Sequence, residues 1–321
     1  MQQRRLGSTG LRVSRLGLGT MTWGRDTDEH EARDQLSSFV EAGGTLLDTA
    51  AGYGNGDSER VIGQLLGDVV RREDVVIATK AGISRRRGER ETNASRGFLL
   101  ADLDASLKRL GVDHVDLWQV HTWVDDTPLE ETLSALDRAV SSGRAAYVGV
   151  SNYSGWQSAQ AATWQRAVPG RAPIASNQVE YSLLNRRVEA ETLPAAMALG
   201  IGILPWSPLG RGVLTGKYRT GIPGDSRAAS PHFGNFVNRY LTEDAQRVVE
   251  AVVRASEGLG WSPLEVALAW VRDQPGVTAP IVGARTAAQL KDALTVEECE
   301  LPAEISQALE DVSAGFARGG A

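Results

Sequence analysis

Thr45-Leu46-Leu47-Asp48, Val75-Val76-Ile77-Ala78-Thr79-Lys80 and Val115-Asp116-Leu117-Trp118-Gln119-Val120-His121 are short apolar runs, each ending in a side chain that can do chemistry. The same pattern returns at Ala146-Tyr147-Val148-Gly149-Val150-Ser151-Asn152, Ala175-Ser176-Asn177-Gln178 and Gly202-Ile203-Leu204-Pro205-Trp206-Ser207. Bounded runs of this length read as buried strands. If such strands alternate with helices around a closed parallel barrel, their carboxyl ends share one rim, and that rim is where barrels of this kind carry their active sites. One rim then collects Asp48, Tyr53, Lys80 and His121.

Outward from these runs, helical periodicity predicts helices at about 28–42, 57–66, 95–110, 130–142, 155–166, 188–199, 243–258, 263–273 and 287–294. Thr27-Asp28-Glu29 opens the first helix, and Ser262-Pro263-Leu264-Glu265 puts proline at a first helical position. Leu16-Gly17-Leu18-Gly19-Thr20 reads as the first barrel strand and Ala279-Pro280-Ile281-Val282 as the eighth. Ahead of them, residues 3–14 alternate around a Ser-Thr-Gly turn and read as a hairpin over the barrel's amino-terminal end. A doubly wound sheet would want a Gly-x-Gly-x-x-Gly loop from strand to helix, and the chain has none. The expected fold is therefore α/β: a single (β/α)8 TIM barrel over 1–321, with an N-terminal β-hairpin capping its bottom and extra C-terminal helices.

Composition narrows the function classes. Hydrophobic residues at 42% and charged residues at 23% are those of a globular protein with a sizeable core. No apolar stretch is long enough to span a bilayer, and Met1-Gln2-Gln3-Arg4-Arg5 runs into a Gly/Ser/Thr turn and not a signal-peptide core, which argues for the cytoplasm and against a membrane partner. A formal net charge of −6 offers no global field for nucleic acid. The histidines, His30, His114, His121 and His232, show no metal-ligand spacing, so no metal is expected. The single cysteine, Cys299, sits in an acidic run that should raise its pKa and reads as structural.

The run from Asp48 to Glu59, Asp-Thr-Ala-Ala-Gly-Tyr-Gly-Asn-Gly-Asp-Ser-Glu, with Lys80 and His121 closing the next strands, resembles the aldo-keto reductase superfamily. The similarity continues through Val148-Gly149-Val150-Ser151-Asn152, Asn177-Gln178-Val179-Glu180-Tyr181, the segment from Pro205 to Gly212, and Ile281-Val282-Gly283-Ala284-Arg285. These later segments resemble the branch that includes potassium-channel β-subunits and bacterial general carbonyl reductases. The resemblance implies an NADPH-dependent reduction of aldehydes or ketones; separately, no obligatory protein partner is expected. Hydride reduction of a carbonyl leaves an alkoxide that needs a proton, and a phenol with an ordinary pKa near 10 is a weak donor at neutral pH. Lys80 is expected to stabilise the tyrosinate of Tyr53, Asp48 to hold Lys80 charged, and His121 to orient the substrate oxygen.

The same resemblance assigns Ser151, Asn152 and Gln178 to the nicotinamide carboxamide, and Trp206 presents a flat face on which the nicotinamide ring could stack. Ser207, Leu209, Gly210, Gly212 and Lys217 follow that strand and suit a pyrophosphate. Their context superficially resembles a nucleotide-triphosphate loop but has Arg211 and Tyr218 where glycine and Ser/Thr are needed. Gly283 and Arg285 open the last barrel helix, where backbone donors and a guanidinium would meet the adenosine 2′-phosphate, with Gln289 one helical turn on and Asp292 near the adenine amine. Ala293 departs from the branch pattern, which commonly has asparagine there. Trp23 and Trp123 are candidate walls of the substrate pocket. The loops 122–128 and 211–238 are expected to choose the substrate, the second being a long loop on the active rim. Ser84-Arg85-Arg86-Arg87-Gly88-Glu89-Arg90-Glu91 reads as a solvated loop, with a grip on anionic substrates as the minor reading. Two other functions compete: a Schiff-base aldolase using Lys80, and a subunit that senses NADP(H).

Overall fold

Several helix starts are written in the chain. Asp28 accepts from the Glu31 N–H at 2.9 Å, while Ser154 with Gln157 and Ser262 with Glu265 form reciprocal capping boxes. The computed structural model describes residues 1–86, 88–224, 226–230 and 234–317, the side chains of Arg86 and Arg227 excepted. Arg87 and His232 lie outside the described residues.

Strands β1 (Gln3–Arg5) and β2 (Arg12–Ser14) pair antiparallel as the expected hairpin. Strands β3 (Gly17–Gly19), β4 (Leu46–Asp48), β5 (Val76–Ala81), β8 (Val115–Val120), β9 (Ala145–Ser151), β10 (Ile174–Glu180), β11 (Gly202–Trp206) and β12 (Ile281–Val282) close, in that order, into a parallel barrel. Between β5 and β8 the chain also forms β6 (Ile83–Arg86) and β7 (Glu89–Thr92), a separate antiparallel pair. The crossovers are α1 (Glu29–Glu41), α2 (Asp57–Leu65), α3 (Arg96–Leu110), α4 (Leu129–Ser141), α5 (Gly155–Arg166) and α6 (Thr192–Leu199). From β11 to β12 the chain runs through α7 (Gly234–Asn238), α8 (Glu243–Leu259) and α9 (Pro263–Arg272); α10 (Ala287–Leu294) and α11 (Ala303–Val312) follow.

The hairpin plugs the barrel from below. Leu6, just past β1, is fully buried in a cluster with Leu46, Ala78, Leu117, Ala175 and Leu204 from the barrel interior. Taking a leucine wholly out of water contributes about 1.5–3 kcal/mol.

Three expectations need correction. The helix foreseen from 188 starts at Thr192, after a separate turn at Arg187–Glu189. Pro194 explains the shift: it is tolerated only in a first turn, and a start at 188 would bury its missing N–H in the helix interior. The eighth strand shrinks to two residues, because Pro280 cannot donate to a ladder, although its carbonyl still accepts from Gly17 N at 2.9 Å. Finally, the Arg-rich run is a paired hairpin, β6–β7, and not a loop, although its strands remain largely exposed.

Candidate active site

Three neighbouring strand ends, those of β4, β5 and β8, supply the centre. Lys80 Nζ donates to the Asp48 carboxylate at 2.7 and 2.8 Å and to the Thr49 carbonyl at 2.9 Å, and reaches the Tyr53 hydroxyl at 3.4 Å. From the opposite side of the ring, Gln178 Nε2 on β10 donates to Asp48 Oδ1 at 2.7 Å, a bond that crosses the barrel. Lys80 is fully buried and Asp48 and Gln178 are each 2% exposed, so neither water nor an alternative rotamer competes for these contacts. Beyond β4 the backbone keeps pairing with β5, Thr49 N to Ala78 O and Ala51 N to Lys80 O, both at 2.9 Å. Tyr53 follows at once, in a turn where Gly54, Asn55 and Gly56 are all left-handed, so the chain folds back and the phenol stays over the lysine. The His121 ring stands edge-on to the Tyr53 ring with 5.9 Å between centroids.

Electrostatics fixes the protonation states. Burial by itself pushes the Lys80 ammonium down, but Asp48 and then Tyr53 more than reverse it and hold it above its ordinary value. Burial pushes the Tyr53 phenol up, Lys80 pulls it back only in part, and Asp48 adds to the rise. The net direction is thus opposite to a phenol drawn toward neutrality: Lys80 limits the rise. Burial first, then Lys80 and Arg90, push His121 down to about 3, so its imidazole is neutral. Its Nδ1 is buried without a described hydrogen-bond partner.

On the other side of the rim, side chains stitch the strand ends together. Ser151 Oγ donates to the Gln178 carbonyl at 2.8 Å, Asn152 Nδ2 to the His121 carbonyl at 3.0 Å, and Trp206 Nε1 to Asn152 Oδ1 at 3.0 Å. Asn152 is therefore engaged through both ends of its amide, whereas Gln178 spends only its nitrogen among the described contacts. Among the described residues the non-glycines with left-handed backbone are Asn55, Asn152, Ser207 and Arg211, all on this rim. Such conformations cost about 1 kcal/mol or more each and collect where a site demands them.

From Trp206 to Lys217 the rim continues as an arc whose backbone turns left-handed at Ser207, Gly210, Arg211, Gly212 and Gly216. A Cβ on Gly212 would come within 3.1 Å of Lys217 Nζ, so the glycine leaves an ammonium against bare backbone. Trp206 is half-buried with the Arg211 guanidinium 5.5 Å from its ring centroid, and Ser207, Leu209 and Gly210 continue the same turn. Arg211 is pinned by Glu180 at 2.9 Å, and Arg239 and Tyr240 join the same carboxylate at 2.6 and 2.8 Å. Glu180 thus straps the long segment after β11 to the barrel. Sequence reading did not assign it that role, although a charge ending the apolar strand β10 was the available signal.

At the far end of the arc, part of the expected anion site is already used. Ala287 N, at the start of α10, donates to Glu31 Oε2 at 2.6 Å, and Gln289 N to its cap, Thr286 Oγ, at 3.3 Å. Gln289 folds back to accept from Arg285 N at 3.1 Å. The helix terminus is therefore filled by a carboxylate from α1, and what remains for an incoming anion is the half-buried Arg285, whose guanidinium has no described partner, beside exposed Gly283. Asp292 is exposed on α10, and Ala293, 1% exposed, belongs to the core.

The two tryptophans separate. Trp123 is half-buried on the rim, with its ring 5.2 Å from Tyr153 and 5.4 Å from Trp156. Trp23 is fully buried, its Nε1 donating to Gln35 at 3.1 Å, and presents no wall to a pocket. Cys299 is also buried, and its thiol is pushed up to about 11 by burial first and Glu265 next, with Glu298 of its own acidic run a minor contributor. Among the described residues no helix is long and apolar enough to cross a membrane.

Comparison with known proteins agrees with this architecture. The sequence model of the aldo/keto reductase family matches residues 15–314. The uncharacterized oxidoreductase YrpG of Bacillus subtilis is 38% identical, over 98% of this chain and 97% of its own. A probable voltage-gated potassium channel subunit beta of Oryza sativa is 39% identical, over 88% of this chain and 87% of its own. The L-glyceraldehyde 3-phosphate reductase of Escherichia coli is 36% identical, over 91% of this chain and 86% of its own. A family match over nearly the whole sequence, and relatives this similar over most of their length, establish that the chain belongs to the aldo/keto reductase family of oxidoreductases.

Proposed function

We propose that the protein reduces an aldehyde or ketone to the alcohol, with NADPH as reductant and Tyr53 as general acid. The observation that carries this reading is the buried contact of Lys80 with both Asp48 oxygens and with the Tyr53 hydroxyl, beside a neutral His121. The reduced nicotinamide supplies the hydride. Ser151, Asn152 and Gln178 would position its carboxamide, Trp206 its ring, Lys217 and the glycine turn its diphosphate, and Arg285 its 2′-phosphate. Neutral His121 is suited to donate a hydrogen bond to the carbonyl oxygen, polarising it toward the arriving hydride. A raised phenol pKa keeps Tyr53 protonated, the state an acid needs, and Lys80 stabilises the phenolate as the proton leaves for the alkoxide.

The same contacts speak against a Schiff-base role. An ammonium held by a carboxylate and a carbonyl, with its pKa raised, has no lone pair to offer a carbonyl carbon. Kinship with a channel β subunit leaves room for a cofactor-sensing role, but an intact acid and relay favours turnover. Loss of NADPH absorbance with a panel of carbonyls, in the parent and in Tyr53→Phe, tests the proposal. Turnover that survives unchanged in Tyr53→Phe sinks it.

A further inference from the structure

The hairpin β6–β7 leaves the barrel between Lys80 and α3 and lies directly against the catalytic turn. A Cβ on Gly52, the residue before Tyr53, would meet the Ile83 carbonyl at 2.5 Å and Ile83 Cγ2 at 3.7 Å. Its two faces have different neighbours. Ser84 Oγ donates to Asp102 Oδ1 at 3.1 Å, so the face of Ser84 and Glu91 turns to α3. Alternation then puts Ile83, Arg85, Arg90 and Thr92 on the other face, the one applied to the Tyr53 turn.

On that face Arg85 and Arg90 stand directly opposite each other in the ladder. Like charges in such a pair destabilise a hairpin, and among the described contacts no ion pair with a carboxylate relieves them. Arg85 Nη1 donates to the Gly88 carbonyl at 3.1 Å, and the Arg90 guanidinium has no hydrogen bond or ion pair among the described contacts. Glu89 and Glu91 belong to the opposite face. With Lys80, Arg90 is one of the two cations whose charge bears on His121, which places it within electrostatic reach of the His121 ring.

We infer that Arg85 and Arg90 form an anion subsite at the mouth of the active site and that the preferred substrates are carbonyl compounds carrying a phosphonate, phosphate or carboxylate a few bonds from the carbonyl. The inference rests on the reductase reading. A flexible pair of guanidiniums engages either anion, and bidentate contacts make arginine the suited residue.

The test compares 4-oxobutanoate with butanal, and phosphonoacetaldehyde with acetaldehyde, in the parent, Arg90→Ala, Arg85→Ala and Arg90→Lys. The parent should favour each anionic member, and the ratio between the two pairs identifies the anion. Arg90→Ala should lower kcat/KM for the anionic members about tenfold, mainly through KM, and leave butanal within about twofold. Arg90→Lys should recover part of the loss, and 0.5 M salt should shrink the parent's preference. Binding of butanedioate or inorganic phosphate, followed by tryptophan fluorescence, should weaken in both alanine variants whether or not turnover is measured. Reduction of butanal with no anionic preference, or anion binding indifferent to both arginines, overturns the subsite and leaves the reductase reading standing. Anion binding without reduction of any carbonyl overturns the reductase reading and keeps the subsite.

Discussion

The proposed catalytic relay and the proposed adenosine end of the cofactor arc are built from the same kinds of residues under opposite conditions. Asp48, Lys80 and Gln178 are buried, and one carboxylate takes donors from both sides of the barrel. Arg285, Gln289 and Asp292 lie at the surface, and the helix terminus beside them is neutralised by Glu31. Inside, an unpaired charge costs several kcal/mol, so essentially one arrangement is allowed. Outside, water satisfies whatever the protein leaves open, and single substitutions can retune affinity at small cost to folding. On the proposed reading, the chemistry is therefore fixed by packing, while cofactor choice is set where the structure is tolerant.

The relay should break most completely. Tyr53→Phe is expected to lower carbonyl turnover by at least about 10²-fold while cofactor binding stays within a few-fold of the parent. Lys80→Met should do similar damage, and its pH profile carries more information. The acid works when protonated, so reduction is present below the phenol pKa and lost as pH rises through it. That pKa is raised in the parent, so the fall belongs on the alkaline side. Lys80 lowers the phenol, so Lys80→Met should move the fall further upward while dropping the plateau. With His121 pushed down to about 3, neither enzyme should show a histidine limb between about pH 5 and 8. Steady-state rates from pH 5 to 11 decide it; an unchanged profile in Lys80→Met would refute the coupling.

How much of this was legible beforehand follows the same division. The strand ends bearing Asp48, Lys80 and His121, and the turn bearing Tyr53, announce themselves because a polar residue closing a buried apolar run has few other reasons to be there. Helix limits came through where caps are local, as at Asp28 and Ser262. What stayed hidden depends on contacts distant in sequence. Nothing near Gln178 says that its amide crosses the barrel to Asp48, and nothing near Ala287 says that Glu31, 256 positions earlier, will fill its N–H. Trp23 and Trp123 looked alike as aromatics just past strands. Only tertiary packing buried the first and left the second on the rim.

The adenosine end should respond in smaller, cofactor-specific steps. Arg285→Ala is expected to weaken NADPH about tenfold and NADH within twofold, since a half-exposed charge-assisted contact is worth about 1.4 kcal/mol. Added salt should weaken NADPH in the parent more than in the variant. Fluorescence titration with both cofactors is the check. Equal losses would assign Arg285 to the fold or to the adenine, and a parent that prefers NADH would reject the phosphate site altogether.

Glu31→Gln probes the smallest effect and the one that most sharpens the comparison. Its carboxylate now satisfies Ala287 N and neutralises the start of α10, which is also where the 2′-phosphate would approach. Glutamine keeps an acceptor of the same reach but removes the charge, so α1 and α10 stay joined while repulsion of the phosphate disappears. Charges at a helix terminus are worth about 0.3–1 kcal/mol, so NADPH should bind about 2- to 5-fold tighter and NADH should be unchanged. The gain should persist in an Arg285→Ala background, because the proposed action is on the phosphate and not on the guanidinium. If it vanished there, Glu31 would be acting by restraining Arg285. If both cofactors tightened equally, the carboxylate would only be shaping the contact between α1 and α10, and the surface end of the arc would be less tunable than its exposure implies.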